Sequence, residues 1–152
     1  HEALSAQFRE RTVYKSYVTL VHGAMKEERG KIDAPIARDR ANRLRMAVQK
    51  LGRNALTHWR VRRSFERFTL LQVEIKTGRT HQIRVHLAHI NHPVVGDETY
   101  NGGRDKTVAD ARIKKAIQDL NRFFLHAERL CFDHPETGER MDFKAPLAPE
   151  LN

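Results

Sequence analysis

The residues able to do chemistry concentrate between Thr77 and Tyr100. Thr77-Gly78 turns the chain out of an alternating apolar segment, and Arg79, Thr80, His81, Gln82 and Arg84 follow at once. Thr80 is placed to cap a helix, accepting hydrogen bonds from the exposed amides of its first turn. Ile83, Leu87 and Ile90 then recur at helical spacing, and Pro93 cannot continue the helix. A strand-to-helix turn of this kind offers unpaired amides and the positive end of a helix dipole, which together form a seat for phosphate. Arg79 and Arg84 add charge to that seat. His81, His86, His89 and His92 look like metal ligands, but on this helix His81 and His86 face different ways. His86 and His89 could share a face, yet neither a cysteine nor a carboxylate lies at a recognised ligand spacing, so no metal is expected. No glycine-rich nucleotide loop and no serine in a nucleophile context occurs, which leaves a nucleotide cofactor or a serine hydrolase without support.

The composition narrows the class of partner. The chain has 152 residues, 39% hydrophobic and 31% charged, which reads as one globular domain with a real core. Its 28 Lys and Arg against 19 Asp and Glu leave a net charge of +9. A domain this basic is expected to bind a polyanion, most often nucleic acid. No segment is apolar enough to span a membrane, and no secretion leader is visible. The single cysteine, Cys131, excludes an internal disulfide and fits a reducing, cytoplasmic setting. Between Leu130 and Phe132 it reads as a buried structural thiol.

The elements that must position these groups are mostly strands. Val13–His22 alternates, with Lys15, Tyr17, Thr19 and Val21 on one face and Tyr14, Ser16, Val18 and Leu20 on the other. Residues 24–42 read as a polar loop. After a turn at Gly52-Arg53-Asn54, Ala55–Val61 is expected to be a strand with Thr57, Trp59 and Val61 on an apolar face. His58, Arg60 and Arg62 would form its basic face, suited to RNA, because like charges on one strand repel unless an anion screens them. Leu71, Val73 and Ile75 mark a third strand. Residues 107–123 predict an amphipathic helix, with a capping-box spacing at Thr107 and Asp110 and a stripe of Ile113, Ala116, Ile117 and Leu120 sealing one side of the core. Two last strands, 124–132 and 140–145, flank a loop at 133–139. The expected class is α+β, a mixed, mainly antiparallel sheet flanked by helices. The chain opens without a methionine and in helical pattern, Leu4 and Phe8 four apart, which predicts that it is entered part-way through a longer protein.

Residues 77–100 resemble the signature of RNA pseudouridine synthases. Thr-Gly-Arg-Thr-His-Gln-Ile-Arg-Val-His is followed by Asn-His-Pro-Val-Val-Gly-Asp-Glu-Thr-Tyr. Phe8 and Arg11 through Tyr17, Leu125-His126-Ala127, and His134-Pro135 with Thr137-Gly138-Glu139 are similar to further landmarks in the family's order. The likeness reaches Ala145-Pro146-Leu147 and is strongest to the branch of ribosomal large subunit synthases A, C and D. The resemblance implies an enzyme that flips a uridine from structured RNA, breaks its N-glycosidic bond and rejoins the base through carbon 5. It implies no metal and no organic cofactor. By position Tyr17 matches the family's base-stacking tyrosine, and Arg84 matches the arginine that pairs with the catalytic aspartate. A tyrosine offers a flat face to uracil, and an arginine offers a carboxylate two parallel hydrogen bonds. Lys15, Arg79, Thr80, His81, Gln82, Arg60 and Arg62 are the expected RNA contacts or supports of the loop, with ribosomal RNA the expected partner.

One part of the pattern is missing. The family's aspartate lies in a Gly-Arg-Leu-Asp element upstream of the tyrosine strand, and no residue before Tyr17 is an aspartate. Asp33, Asp39 and Asp97 do not match that element. Residues 1–152 are therefore expected to be the C-terminal portion of a catalytic domain, inactive alone. The rival expectation is a non-catalytic RNA-binding or ribosome-assembly module on the same fold.

Overall fold

The alternation at the start of the chain becomes β1 (Tyr14–His22), the central strand around which the rest is arranged. In the computed structural model the described residues are 13–133, 137 and 139–145. The expected helix at Leu4 and Phe8, and the landmarks at Phe8, Arg11, His134-Pro135, Gly138 and Pro146-Leu147, lie outside them. The remaining strands are β2 (Arg29–Asp33), β3 (Ile36–Arg38), β4 (Met46–Val48), β5 (Leu56–Ser64), β6 (Phe68–Ile75), β7 (Leu125–Asp133) and β8 (Arg140–Lys144). A six-stranded sheet has the order β2-β5-β6-β1-β7-β8, and β3 and β4 form a separate ribbon. Every pairing among these strands is antiparallel, in keeping with the expected α+β class with a mainly antiparallel sheet.

Two strands lie inside the segment read as a loop. β2 carries a single large apolar residue, the buried Ile32, between Lys31 and Asp33. It pairs as an edge strand, where only one face needs to be apolar. Gly30 completes it: a Cβ there would sit 2.5 Å from the Trp59 ring on the opposite strand. That close approach of ring to backbone replaces a side-chain contact and leaves little hydrophobic signal in the sequence.

One sheet face holds the core. The register aligns Trp59, Val73 and Tyr17 across β5, β6 and β1, so these three share a face. Val21, Leu71, Val73, Ile75 and Trp59 pack there against Ile83 and Leu87 of helix α1 (Gln82–His89). Asn91, at φ 67°, ends this helix: its amide reaches the Ala88 carbonyl and the His92 amide the Leu87 carbonyl. Cys131 is buried and free.

The expected helix over 107–123 is shorter and differently capped. Arg104–Thr107 is a 3-10 turn, and α2 runs Ala111–Leu120. Asp110, not Thr107, caps it, accepting from the Arg112 and Ile113 amides at 2.9 and 3.3 Å. Its stripe does not seal the core either. None of its residues is buried, and Ile113 is 41% exposed, because α2 leans on the 3-10 turn rather than on the sheet.

Candidate active site

The turn between β6 and α1 is built by Gln82. Its side-chain oxygen accepts from the Thr77 hydroxyl (2.6 Å) and the Arg79 amide (3.1 Å). Its nitrogen donates to the Leu56 carbonyl (2.9 Å) and the Thr57 hydroxyl (3.0 Å). Buried and fully occupied, Gln82 supports the loop and does not face a ligand. Thr80 does not cap α1. The N-cap is His81, in the left-handed region at φ 56°, and no side chain caps the first turn. Thr80 is exposed, and the Arg79 guanidinium donates to the Asn54 carbonyl at 2.8 Å.

Beneath the turn lies a buried polar chain. His86 is fully buried and its Nε2 lies 2.8 Å from the Ala34 carbonyl, which can only accept, so Nε2 carries the proton. Nδ1 then accepts from the Thr57 hydroxyl at 2.7 Å. This histidine, one of the four that resembled a metal set, serves packing. Among the described residues no cluster of His, Cys, Asp or Glu is arranged to hold a metal. Burial pushes the His86 pKa down, and burial does the same to His22 and His81. An unfolded chain binds these protons near the ordinary value of about 6.5 while the folded chain does not. Stability is therefore complete above that value and is lost as pH falls toward the lower folded values. The melting temperature should drop between pH 7.5 and 5.5, and His86→Gln should make the drop shallower. An unchanged slope would remove His86 from this account.

Arg84 projects from α1 into a closed setting. Its Nε donates to Oδ2 of Asp97 at 2.7 Å and its Nη2 to Oδ1 at 2.8 Å. The Asp97 side chain is 1% exposed and that of Arg84 11%. The guanidinium carbon stands 4.1 Å from the Phe123 ring centroid and 5.0 Å from that of Tyr100. Asp97 is held by its own backbone: its amide reaches the Val94 carbonyl, and its carbonyl accepts from the Tyr100 and Asn101 amides. Gly96 precedes it at φ 81°, where a Cβ would come within 2.3 Å of the Arg122 carbonyl oxygen. The Tyr100 hydroxyl accepts from the Met46 amide (2.9 Å) and lies 2.7 Å from His81 Nδ1. Arg84, Asp97, Tyr100, Phe123 and His81 thus form one network.

Asp97 occupies one edge of the guanidinium. The second edge, at Nη1 and the other Nη2 hydrogen, has no hydrogen bond among the described residues and can take a further carboxylate or phosphate.

Tyr17 lies on the same sheet face, half-buried against the core that includes Ile83, Leu87 and Phe123. A bulge after Ser16 pairs Tyr17 with Ala127 and leaves Glu128 without a partner on β1. Lys15, Tyr17, Ala127, Leu130 and Phe143 help line a cleft of about 250 Å³. The Tyr17 hydroxyl has no hydrogen bond among the described residues, and burial raises its pKa, so the phenol keeps its proton. Burial also lowers the pKa of Lys15, whose Nζ lies 3.1 Å from where a Cβ of Gly78 would be.

The structure does not bring every expected contact to this place. Arg60 shares the face of His58 and Glu74, opposite Tyr17, and donates to Gln72 at 3.0 Å. Arg62 falls in a β5 bulge and is paired with Glu128 at 2.8 Å. Conversely, Asp97, Tyr100 and Phe123 were not read as parts of the site. Their only sequence signal is the 92–100 landmark, which holds two of them.

Comparison with known proteins settles the lineage. The pattern described as RNA pseudouridylate synthase matches residues 1–89, more than half of the chain. The chain belongs to the RNA pseudouridylate synthase family. An uncharacterized RNA pseudouridine synthase of Bacillus subtilis is 44% identical over 151 residues, covering 99% of this chain and 46% of the relative. The ribosomal large subunit pseudouridine synthase D of Pseudomonas aeruginosa is 43% identical over 152 residues, covering 99% and 47%, and that of Vibrio cholerae 41% over 143 residues, covering 93% and 44%. The chain thus spans just under half the length of these relatives. Among solved structures, human RNA pseudouridylate synthase domain containing 1 superposes with a TM-score of 0.75 at 27% identity, over 99% of this chain and 62% of that one. Human RNA pseudouridylate synthase domain containing 4, at 20% identity and a TM-score of 0.72 over 99% and 64%, shares the fold.

Proposed function

We propose that this chain is the C-terminal portion of a pseudouridine synthase catalytic domain, and that the whole protein converts uridine to pseudouridine in ribosomal RNA. The observation that carries the reading is the unused edge of Arg84, whose guanidinium stacks on Phe123, a ring packed against the same core as the half-buried Tyr17, whose hydroxyl has no partner among the described residues. The names of the relatives support ribosomal RNA as the substrate class.

In this reading the flipped uracil lies against Tyr17. The bond from ribose C1′ to N1 breaks, a bond from C1′ to C5 forms, the C5 proton leaves to solvent and N1 gains a proton. Arg84 holds an incoming carboxylate in its ionised form through two charge-assisted hydrogen bonds. Asp97 cannot be that carboxylate, since it is buried and both oxygens are engaged by Arg84. The carboxylate comes from residues upstream of His1. Lys15, Arg79, Thr80 and His81 border the place where the RNA backbone enters, with Gln82 holding their turn. No metal or organic cofactor takes part. The lone thiol suits the cytoplasm.

The test compares this chain with the same chain extended upstream in its native reading frame. Ribosomal RNA tritiated at uridine carbon 5 is the substrate, and released tritium is counted. Release by the extended chain alone is the expected result. Release by neither, with RNA binding intact, would replace this reading with a non-catalytic RNA-binding or ribosome-assembly module.

A further inference from the structure

We propose that the sheet face turned away from Tyr17 and Arg84 is a second RNA-contacting surface, which holds the phosphodiester backbone of a strand flanking the reacting uridine. This rests on the reading of the chain as an RNA-modifying enzyme and adds to it a surface remote from the reacting base.

The surface is a product of strand register. β2 pairs with β5 so that Arg29 opposes Arg60 and Lys31 opposes His58. β5 pairs with β6 so that His58 opposes Glu74. Residues directly opposite in an antiparallel ladder share a face, and this one is opposite Trp59, whose side chain goes to the core. With Lys76 beyond the end of β6, these side chains line a groove of about 470 Å³.

Its four cations outnumber its one carboxylate. Arg29, Lys31, Arg60 and Lys76 are exposed, and none belongs to an ion pair among the described residues. Arg60 bonds only the neutral amide of Gln72, at 3.0 Å. Glu74, the sole carboxylate lining the groove, accepts from the Tyr14 hydroxyl at 2.8 Å. Arg29 directly across from Arg60 costs stability unless an anion lies between them. Other arginines of this protein do find carboxylates, as Arg84, Arg62 and Arg129 show. An edge strand needs charge to deter sheet-to-sheet pairing, but β5 lies inside the sheet and carries His58 and Arg60 on the same face.

The chemistry fits a phosphate chain better than a base. Strands about 4.8 Å apart, with same-face residues about 6.8 Å apart along each, repeat positive charge at steps a phosphodiester backbone can follow. The Trp59 ring is buried over Gly30, and among the residues lining the groove His58 supplies the one ring whose side chain is on this face. The contact is therefore mainly to phosphate.

The test is binding of a fluorescein-labelled single-stranded RNA to the upstream-extended protein, followed by fluorescence anisotropy across a salt series. The variant Lys31→Ala/Arg60→Ala/Lys76→Ala should lower the slope of log affinity against log salt by about 2, the share of three single-strand phosphate contacts. The charge-preserving variant Lys31→Arg/Arg60→Lys/Lys76→Arg should keep the slope, and so should Arg112→Ala/Lys114→Ala/Lys115→Ala on α2. An alanine variant that is folded by circular dichroism and keeps the wild-type slope overturns the proposal alone. Tighter binding of polyglutamate than of RNA at equal charge also overturns it, in favour of an acidic protein segment. A wild-type chain that binds no RNA overturns this surface and the RNA-modifying reading together, which separates the two failures.

Discussion

Arg84→Lys, made in the upstream-extended protein, is expected to cut tritium release from carbon-5-labelled ribosomal RNA by roughly 100-fold or more, the scale of losing one preorganised partner of a reacting group. Lysine keeps the charge, so a role in general RNA attraction would survive the change. What it removes is the planar fork. Asp97 takes Nε and one Nη2 hydrogen of Arg84, and only a guanidinium has a second parallel pair left to offer. A lysine ammonium drawn to Asp97 would leave nothing oriented toward a second carboxylate. The expected signature is a collapse of kcat with RNA affinity changed less than about threefold, since one phosphate-scale contact at most is at stake. Retained turnover in Arg84→Lys would show that Arg84 supplies charge alone, and the proposed pairing with a carboxylate would fall.

The carboxylate that orients Arg84 was not legible in the sequence, for a physical reason. The strands β1, β5, β6, β7 and β8 were legible; β5 and β6 bury alternate residues with period two, whereas no residue of β8 is buried. β2 stayed hidden because Gly30 and Ile32 do the packing of a longer apolar row, with Trp59 reaching across to fill the gap. The stripe on α2 was visible, but its lack of burial was not, since amphipathicity records what a face could cover and not what it meets. Thr80 satisfied the rule for a cap, yet the left-handed backbone of His81 moved the helix start by one residue. Arg60 and Arg62 differ by two positions, yet the bulge between Val61 and Arg63 parts their surroundings. Tyr17 and Arg84 stood out by resemblance. The partner that orients Arg84 did not, because the contact with Asp97 is made by folding the 92–100 loop back onto α1.

Asp97→Asn should be the most destabilising polar substitution in the chain. The change keeps the shape of the side chain and removes its charge, leaving Arg84 with an 11% exposed guanidinium and a neutral amide beside it. Breaking a buried pair from one side costs about 3–5 kcal/mol, because the remaining ion has lost water and partner together. For a chain of this length that corresponds to a fall in melting temperature of roughly 10 °C. The rings of Phe123 and Tyr100 at 4.1 and 5.0 Å soften the loss but cannot replace two charge-assisted hydrogen bonds. The double variant Arg84→Met/Asp97→Asn separates this from general damage to the loop. Once the charge of Arg84 is gone, no ion is left stranded, and the double variant should be more stable than Asp97→Asn itself. Thermal unfolding of the three proteins at pH 7.5 measures that order. If the double variant melts below Asp97→Asn, the cost lies in the packing of the 92–100 loop, and Asp97 does not act through Arg84.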